Sequence, residues 1–415
     1  MLSAKAVSQP AGQRKSYSRL RAGITALLFF STVINYMDRQ NLSILARTIQ
    51  NDLQISDLQY SYVVQAFLLA YTLSYIAAGR ITDWLGTRLS MALFIVWWSL
   101  ADMCTSLSRS VWSLGVFRFL LGVGEPGNYT AAPKAVSEWF AHKDRALIIG
   151  IYTAGATLGA TIAPPVIAFL AARFRWQAVF LFTGSLGLIW VIPWLLVYRT
   201  PPEAGAEPSA KLPEGGYWRA VLTRRETWVL TVARLITDPV WYFYLFWLPK
   251  YLTDARHLSL MEVGRIAWIV YLAADAGCII GGWLSGRLIR RGYAPIPSRV
   301  RIMGMAAMLL PLSPLVAYMP TPLAAVLLAA VVAFAHMCWQ ISLGAVVVDV
   351  FPKQLVGTVF GIVAAGSGLG GMISTNLVGR MVTEISYTPV FLAMGFLHPL
   401  AFLLLIRTLT KRRAA

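Results

Sequence analysis

The sequence predicts an all-α polytopic membrane protein, with twelve transmembrane helices in two six-helix halves related by a parallel repeat. Three observations carry that prediction. Of the 415 residues, 57% are hydrophobic and 13% charged, about half the charge of a soluble domain. Apolar runs of about 20 residues, each able to span a bilayer, recur along the chain. A stretch of the first half also reappears in the second.

The runs fall at roughly 23–47, 58–82, 88–107, 111–137, 145–171, 177–198, 227–251, 262–288, 299–319, 322–349, 355–382 and 387–408. Residues 199–226, RTPPEAGAEPSAKLPEGGYWRAVLTRRE, are rich in Pro, Gly, Ala and charge and separate six runs from six. They read as a linker with a short surface helix near Tyr217 to Leu222. The expected organisation is a tail (1–22), a six-helix bundle (23–198), the linker (199–226), a second bundle (227–408) and a tail (409–415).

The repeat appears when SEWFAHKDRALIIGIYTAGATLGATIAPP (137–165) is laid over VDVFPKQLVGTVFGIVAAGSGLGGMISTN (348–376). Glu138 then meets Asp349, Phe140 meets Phe351, and Gly150, Gly155 and Gly159 meet Gly361, Gly366 and Gly370. Six spans separate the copies, so both run in the same direction through the bilayer. GRITDWLGTR (79–88) and GWLSGRLIRR (282–291) are a weaker echo after the second and eighth spans.

The net charge of +18 does not point to nucleic acid. Lys and Arg gather in alternate loops, the positive-inside pattern, which predicts both termini cytoplasmic; the expected location is the cell inner (plasma) membrane. Fifteen Trp and seventeen Tyr suit aromatic belts at the two interfaces. Cys104, Cys278 and Cys338 lie in apolar runs at unrelated spacings and imply neither metal nor disulfide. The first helix reads as retained, since no small-residue cleavage site follows the basic tail. GSGLGG (366–371) sits inside the eleventh span with no strand before it, so it reads as helix packing, not as a dinucleotide loop. No phosphate loop or nucleophile–base spacing suggests an enzyme, and no cofactor is expected.

Ionisable residues inside a bilayer are costly, so each needs a partner, water or a task. Arg118 and Glu125 stand seven apart on the fourth span, about 10 Å along the axis on one face, too far to pair and spaced to bracket a small ligand. Asp38 and Arg39 are adjacent and point about 100° apart, so one can face a cleft while the other meets a different helix. Two fixed cations and two titratable acids suit an organic anion carried with protons: an arginine fork grips a carboxylate, and a dehydrated acid exchanges a proton near neutral pH. The alternative is that the four only neutralise one another.

Other candidates admit two readings each. Arg234 and Asp238, four apart before Pro239, form a same-face pair or touch substrate. Asp275 faces the cleft or a neighbouring helix. His336 is a protonatable site or a neutral core histidine. Lys134 and Glu138, four apart, read as a structural pair or gate, and Asp349, the repeat mate of Glu138, favours that role. Gln340 and Asn376 offer neutral hydrogen bonds to sugar hydroxyls.

Gly79 to Arg88 resembles the signature loop of the major facilitator superfamily, G-x-x-x-D-[RK]-x-G-[RK]-[RK]. Gly79, Asp83, Gly86 and Arg88 match, while Trp84 and Thr87 replace basic residues and leave Asp83 fewer cations. NYMDRQNLS, FLLAYTLSYIAAGRITDWLGTR, FRFLLGVGEPGNY and EWFAHKDRA resemble the anion:cation symporter family within it. KAVSEWF, GATIAPP, RLITDPVW, ADAGCIIGG and FAH are similar to its hexuronate-transporter branch. The resemblance implies Arg39, Arg118 and Tyr71 as substrate contacts, Asp38 and Glu125 as proton-coupling acids, and a protein that functions as a monomer. An acid at Asp38 is the pattern of aldonate and aldarate carriers, whereas Ala156 stands near where the aldonate carriers have an amide. The expected function is proton-coupled symport of a sugar-acid anion such as galacturonate or glucuronate. Another organic carboxylate, or a membrane sensor that binds without transport, are the rival readings.

Overall fold

The computed structural model describes residues 11–201 and 216–409. Residues 1–10 and 410–415 of the expected tails and 202–215 of the expected linker lie outside the described residues. All regular elements among the described residues are helical, as required where a bilayer leaves no water to satisfy the backbone.

In the first half the helices are α1 (Ala11–Ile44), α2 (Ala46–Leu53), α3 (Asp57–Leu85), α4 (Thr87–Thr105), α5 (Val111–Gly124), α6 (Pro126–Trp139), α7 (His142–Arg173) and α8 (Trp176–Val197). A short α9 (Tyr217–Leu222) stands at the expected surface position. The second half holds α10 (Arg225–Tyr242), α11 (Leu248–Asp254), α12 (Leu260–Ile266), α13 (Trp268–Arg290), α14 (Pro295–Leu309), α15 (Pro322–Val350), α16 (Val356–Glu384) and α17 (Thr388–Leu409).

Nine helices among the described residues are long and apolar enough to cross a membrane unaided. The other three expected spans depart for local reasons. The third, α4, is only 19 residues long and carries Arg88 and Asp102. The fourth divides into α5 and α6 at Glu125, because Pro126 has no N–H to continue the ladder. The seventh changes pitch through a π turn, Phe243–Trp247, after Pro239.

The glycines of the repeat explain how the two copies pack. A Cβ on Gly155 would lie 2.6 Å from the Phe29 carbonyl on α1, and one on Gly366 would lie 2.8 Å from that of Thr231 on α10. Gly159 and Gly370 repeat the contact against the Val33 and Leu235 carbonyls. Gly150 and Gly361 instead face the other half: their Cβ atoms would lie 2.2 Å and 2.3 Å from the carbonyls of Cys278 and Tyr75. Each pair thus makes the same approach on both sides of the pseudo-axis, through the small-residue packing membrane helices favour.

Hydrogen bonds and ion pairs that join the halves gather at one end of the bundle. Asp83, before the turn into α4, accepts from the backbone N–H groups of Gly357 (3.1 Å) and Thr358 (2.7 Å) in the first turn of α16. A carboxylate there meets free N–H donors and the positive end of the helix dipole. Lys134 Nζ (2.8 Å) and the Tyr217 hydroxyl (2.7 Å) complete its shell. Tyr217 stays a donor, because burial and then the neighbouring Asp83 push its phenol pKa up. In the opposite sense, Asp349 of the second half takes Arg145 Nη1 (2.9 Å) and His142 Nδ1 (2.7 Å) from the first, and Arg299 Nε (3.2 Å) from its own.

Candidate substrate and proton site

The anomaly in the first helix resolves into two faces. Arg39 turns to Glu125 and the rings of Tyr36, Phe67 and Tyr71 and keeps 28% of its side chain exposed. Asp38 turns the other way and is fully buried. One helical step of about 100° produces that division.

Arg39 gives Nε (3.1 Å) and Nη2 (2.5 Å) to a single oxygen of Glu125, which is itself fully buried. Its guanidinium lies over the rings of Tyr71 (4.5 Å), Tyr36 (5.1 Å) and Phe67 (5.4 Å), a cation–π environment that also shields the charge. Glu125 stands at the α5–α6 break, where Gly122 admits the α3 backbone: a Cβ there would lie 2.5 Å from the Phe67 carbonyl. The other Glu125 oxygen has no protein partner.

Tyr71 also bonds Tyr75, hydroxyl to hydroxyl, at 2.7 Å. Tyr75 packs on Ala364 and Ala365 of α16 and faces Arg234 of the second half. The two tyrosines therefore lead from one guanidinium to another across the interface. Arg234 pairs with Asp238 at 2.9 Å, as their spacing allows. Gln340, turned with its oxygen towards Arg234, accepts from Nε (3.0 Å) and Nη2 (2.5 Å).

Arg118 does not share this open face. It is 2% exposed, stacks over Phe180 at 5.0 Å, and lies 3.5 Å from Asp102. Asp102 was not among the residues expected from sequence. The signal existed, because it is the one acid in the third apolar run. Its Oδ2 accepts from Asn41 (3.0 Å) and Thr183 (2.9 Å). Arg118 and Glu125 thus belong to separate ion pairs, which still lie close enough to act on each other and on Asp38 between them.

The remaining expected residues are dispersed. His336 is buried, stacked on Trp241, with Nδ1 3.1 Å from His398 Nε2. Asp275 is half-buried on α13 beside Thr157 of the first half. Asn376 is exposed on α16 and bonds the Met372 carbonyl of its own helix. Lys134 pairs with Asp83, not with Glu138 as the four-residue spacing suggested. Glu138 accepts instead from Thr87 (2.8 Å) and from the Tyr198 hydroxyl, since α6 ends at Trp139 beside those groups. Arg88 caps the Leu195 carbonyl. The loss of cations at Trp84 and Thr87 is offset by Lys134 and by the backbone of α16. Asn128 is buried, its side chain bonded to Ser31 and Thr32.

Two parallel-repeated helical halves enclosing an arginine–glutamate pair define the class: a multi-pass membrane transporter. The chain belongs to the Major Facilitator Superfamily, whose family model matches residues 28–375. It is 29% identical to the hexuronate transporter of Escherichia coli (strain K12) over 411 residues, 95% of each chain. The galacturonate transporter of Dickeya chrysanthemi is 32% identical over 280 residues, 64% of this chain and 81% of that relative. The D-galactonate transporter of Escherichia coli O6:H1 is 26% identical, covering 92% and 94% of the two chains. Among solved structures, the proton:xylose symporter XylE bound to 6-bromo-6-deoxy-D-glucose has the same fold, with a TM-score of 0.74 at 14% identity over 94% of this chain and 96% of that one.

Proposed function

We propose that this protein carries a hexuronate such as galacturonate or glucuronate together with protons across the bacterial inner membrane, by alternating access. The observation that carries this reading is the Arg39–Glu125 pair. Arg39 already holds a carboxylate through Nε and Nη2, a binding mode that a substrate carboxylate reproduces once Glu125 is protonated.

With both termini cytoplasmic, the sealed end that carries Asp83 and Asp349 is the cytoplasmic one, and Arg39 is reached from outside. Protonation of Glu125 frees Arg39, and the sugar acid replaces it. Tyr71 contacts the substrate from the first half, and Arg234, Gln340 and Asn376 contribute hydrogen bonds from the second. Binding cancels the charge in the cleft and lets the halves rock. On the inside, Glu125 loses its proton and competes for Arg39, expelling the anion. Asp38 and Arg118 act from behind this face, Asp38 as a second proton site.

Proteoliposomes with a more alkaline interior should accumulate labelled galacturonate, and Glu125→Gln should abolish accumulation while leaving substrate counterflow. Uptake indifferent to both the gradient and the substitution sinks the coupling. An aldonate is the second reading, supported by the acid at Asp38 and by the D-galactonate-carrying relative. Competition by galacturonate, galactonate and galactarate separates the two.

A further inference from the structure

Behind the exposed face lies a polar cluster with unequal charges. Asp38, Asp102 and Glu125 supply three carboxyls, all fully buried, against two guanidiniums, Arg39 and Arg118. The groups facing one another are Asp38 and Asn41 from α1, Tyr60 from α3, Asp102 from α4, Arg118 from α5, Glu125 just past its end, and Thr183 from α8. If every acid were ionised, the cluster would hold one uncompensated negative charge in a low-dielectric interior, which is strongly disfavoured.

The donors show where the balancing proton sits. Glu125 receives two N–H groups from Arg39. Asp102 receives Asn41 and Thr183 on one oxygen, with Arg118 at 3.5 Å from the other. Neither oxygen of Asp38 meets a protein donor in hydrogen-bonding geometry, while Arg118 Nη1 lies 3.5 Å from its backbone carbonyl. A buried carboxylate without donors is the least stable of the three.

We propose that Asp102 is a positioning residue for proton coupling: as the fixed counter-ion of Arg118, it keeps that guanidinium off the Asp38 carboxyl and so leaves Asp38 able to carry a proton. This rests on the symport reading above and adds a residue to it. Asp102 touches neither substrate nor the transferred proton. Without its charge, Arg118 is left with Glu125 and Asp38; Glu125 is already held by Arg39, so Arg118 turns to Asp38, Asp38 stays ionised, and a proton is lost from the cycle.

The test uses the full chain in proteoliposomes with labelled galacturonate, comparing pH-gradient-driven accumulation, counterflow exchange, and the pH profile of binding by tryptophan fluorescence. Asp102→Asn should lose gradient-driven accumulation and flatten the pH profile, yet keep counterflow. Asp102→Glu, which keeps the counter-charge, should restore both. A folded Asp102→Asn with the wild-type pH profile overturns the proposal, as does one that loses counterflow together with accumulation. Where Asp102→Asn does not fold, Asp102→Glu decides, and its loss of accumulation in a folded state overturns the proposal. A wild-type chain that carries galacturonate downhill but never against its gradient overturns the symport reading and this proposal together. A driven wild type beside an equally driven Asp102→Asn removes only the latter.

Discussion

In the first half, Asp38, Asp102 and Glu125 share two guanidiniums. In the second, Arg234 and Asp238 pair one to one, with Gln340 beside them. The second half also buries His336 against His398 at 3.1 Å, a contact in which one ring nitrogen must accept and therefore lack a proton. Unequal charge favours proton exchange, because with every acid ionised the three carboxyls would outnumber their two cations. The Arg234–Asp238 pair is already neutral and needs no added proton at rest, which suits hydrogen bonding to a ligand. The same parallel repeat thus frames two different chemistries.

The repeat mates Glu138 and Asp349 offer the strongest break in this comparison. Asp349 compensates Arg145 and bonds His142 across the seam, and compensates Arg299 within its own half, whereas Glu138 is held by the hydroxyls of Thr87 and Tyr198 within its own half. Asp349→Asn leaves two buried guanidiniums uncompensated and should cost about 3–5 kcal/mol. Glu138→Gln keeps an acceptor and should cost about 1 kcal/mol. Thermal melting in detergent measures both, and equal losses would show that the latch is symmetric after all.

Next in size is the contrast between the two clefted arginines. Arg39→Lys loses the forked grip and one charge-assisted hydrogen bond, so galacturonate uptake should fall about 10- to 100-fold. Arg234→Lys keeps a cation beside Asp238 and should fall by less than about tenfold. A reversed order would transfer the main carboxylate contact to the second half.

The seam glycines test whether the halves close as equivalents. Gly150→Ala and Gly361→Ala drive a methyl against a backbone carbonyl on opposite sides of the pseudo-axis. Each should weaken the closed end by about 1–3 kcal/mol and speed maleimide labelling of the buried Cys278. Acceleration by one and not the other would mean that only one of the two helix crossings seals the chain.

Much of this architecture was legible because apolar length and glycine spacing report directly on membrane crossing and close packing. The twelve runs and the repeat of Gly150, Gly155 and Gly159 at Gly361, Gly366 and Gly370 follow from local pattern alone. Partner choice was less legible. Four-residue spacing paired Arg234 with Asp238 correctly, yet it could not pair Lys134, whose ammonium reaches Asp83 on another helix. Seven-residue spacing put Arg118 and Glu125 on one helix, which runs unbroken to Glu125, but it could not show that Asp102 and Arg39 on other helices divide them between two pairs. Asp102 escaped because a lone acid in an apolar run has no sequence neighbour to announce its role. Its meaning comes from Asn41, Arg118 and Thr183, which only the packed bundle brings to it.

The smallest effect concerns the two echoing turns. Gly86 ends α3 with φ +76° and ψ 161°, and Gly292 follows α13 with φ +92°, both in the region that penalises a Cβ. Alanine at either position should cost about 1–2 kcal/mol in melting free energy. The consequences for the seam should differ. Three residues before Gly86 stands Asp83, whose hold on the first turn of α16 depends on the path of that turn. The stretch before Gly292, GWLSGRLIRR, contains no acid. Gly86→Ala should therefore also expose Cys278 to labelling, while Gly292→Ala should melt lower with Cys278 still protected. Equal labelling in the two variants would mean that the Asp83 cap is dispensable for closure, and that the Asp349 cluster alone keeps this end shut.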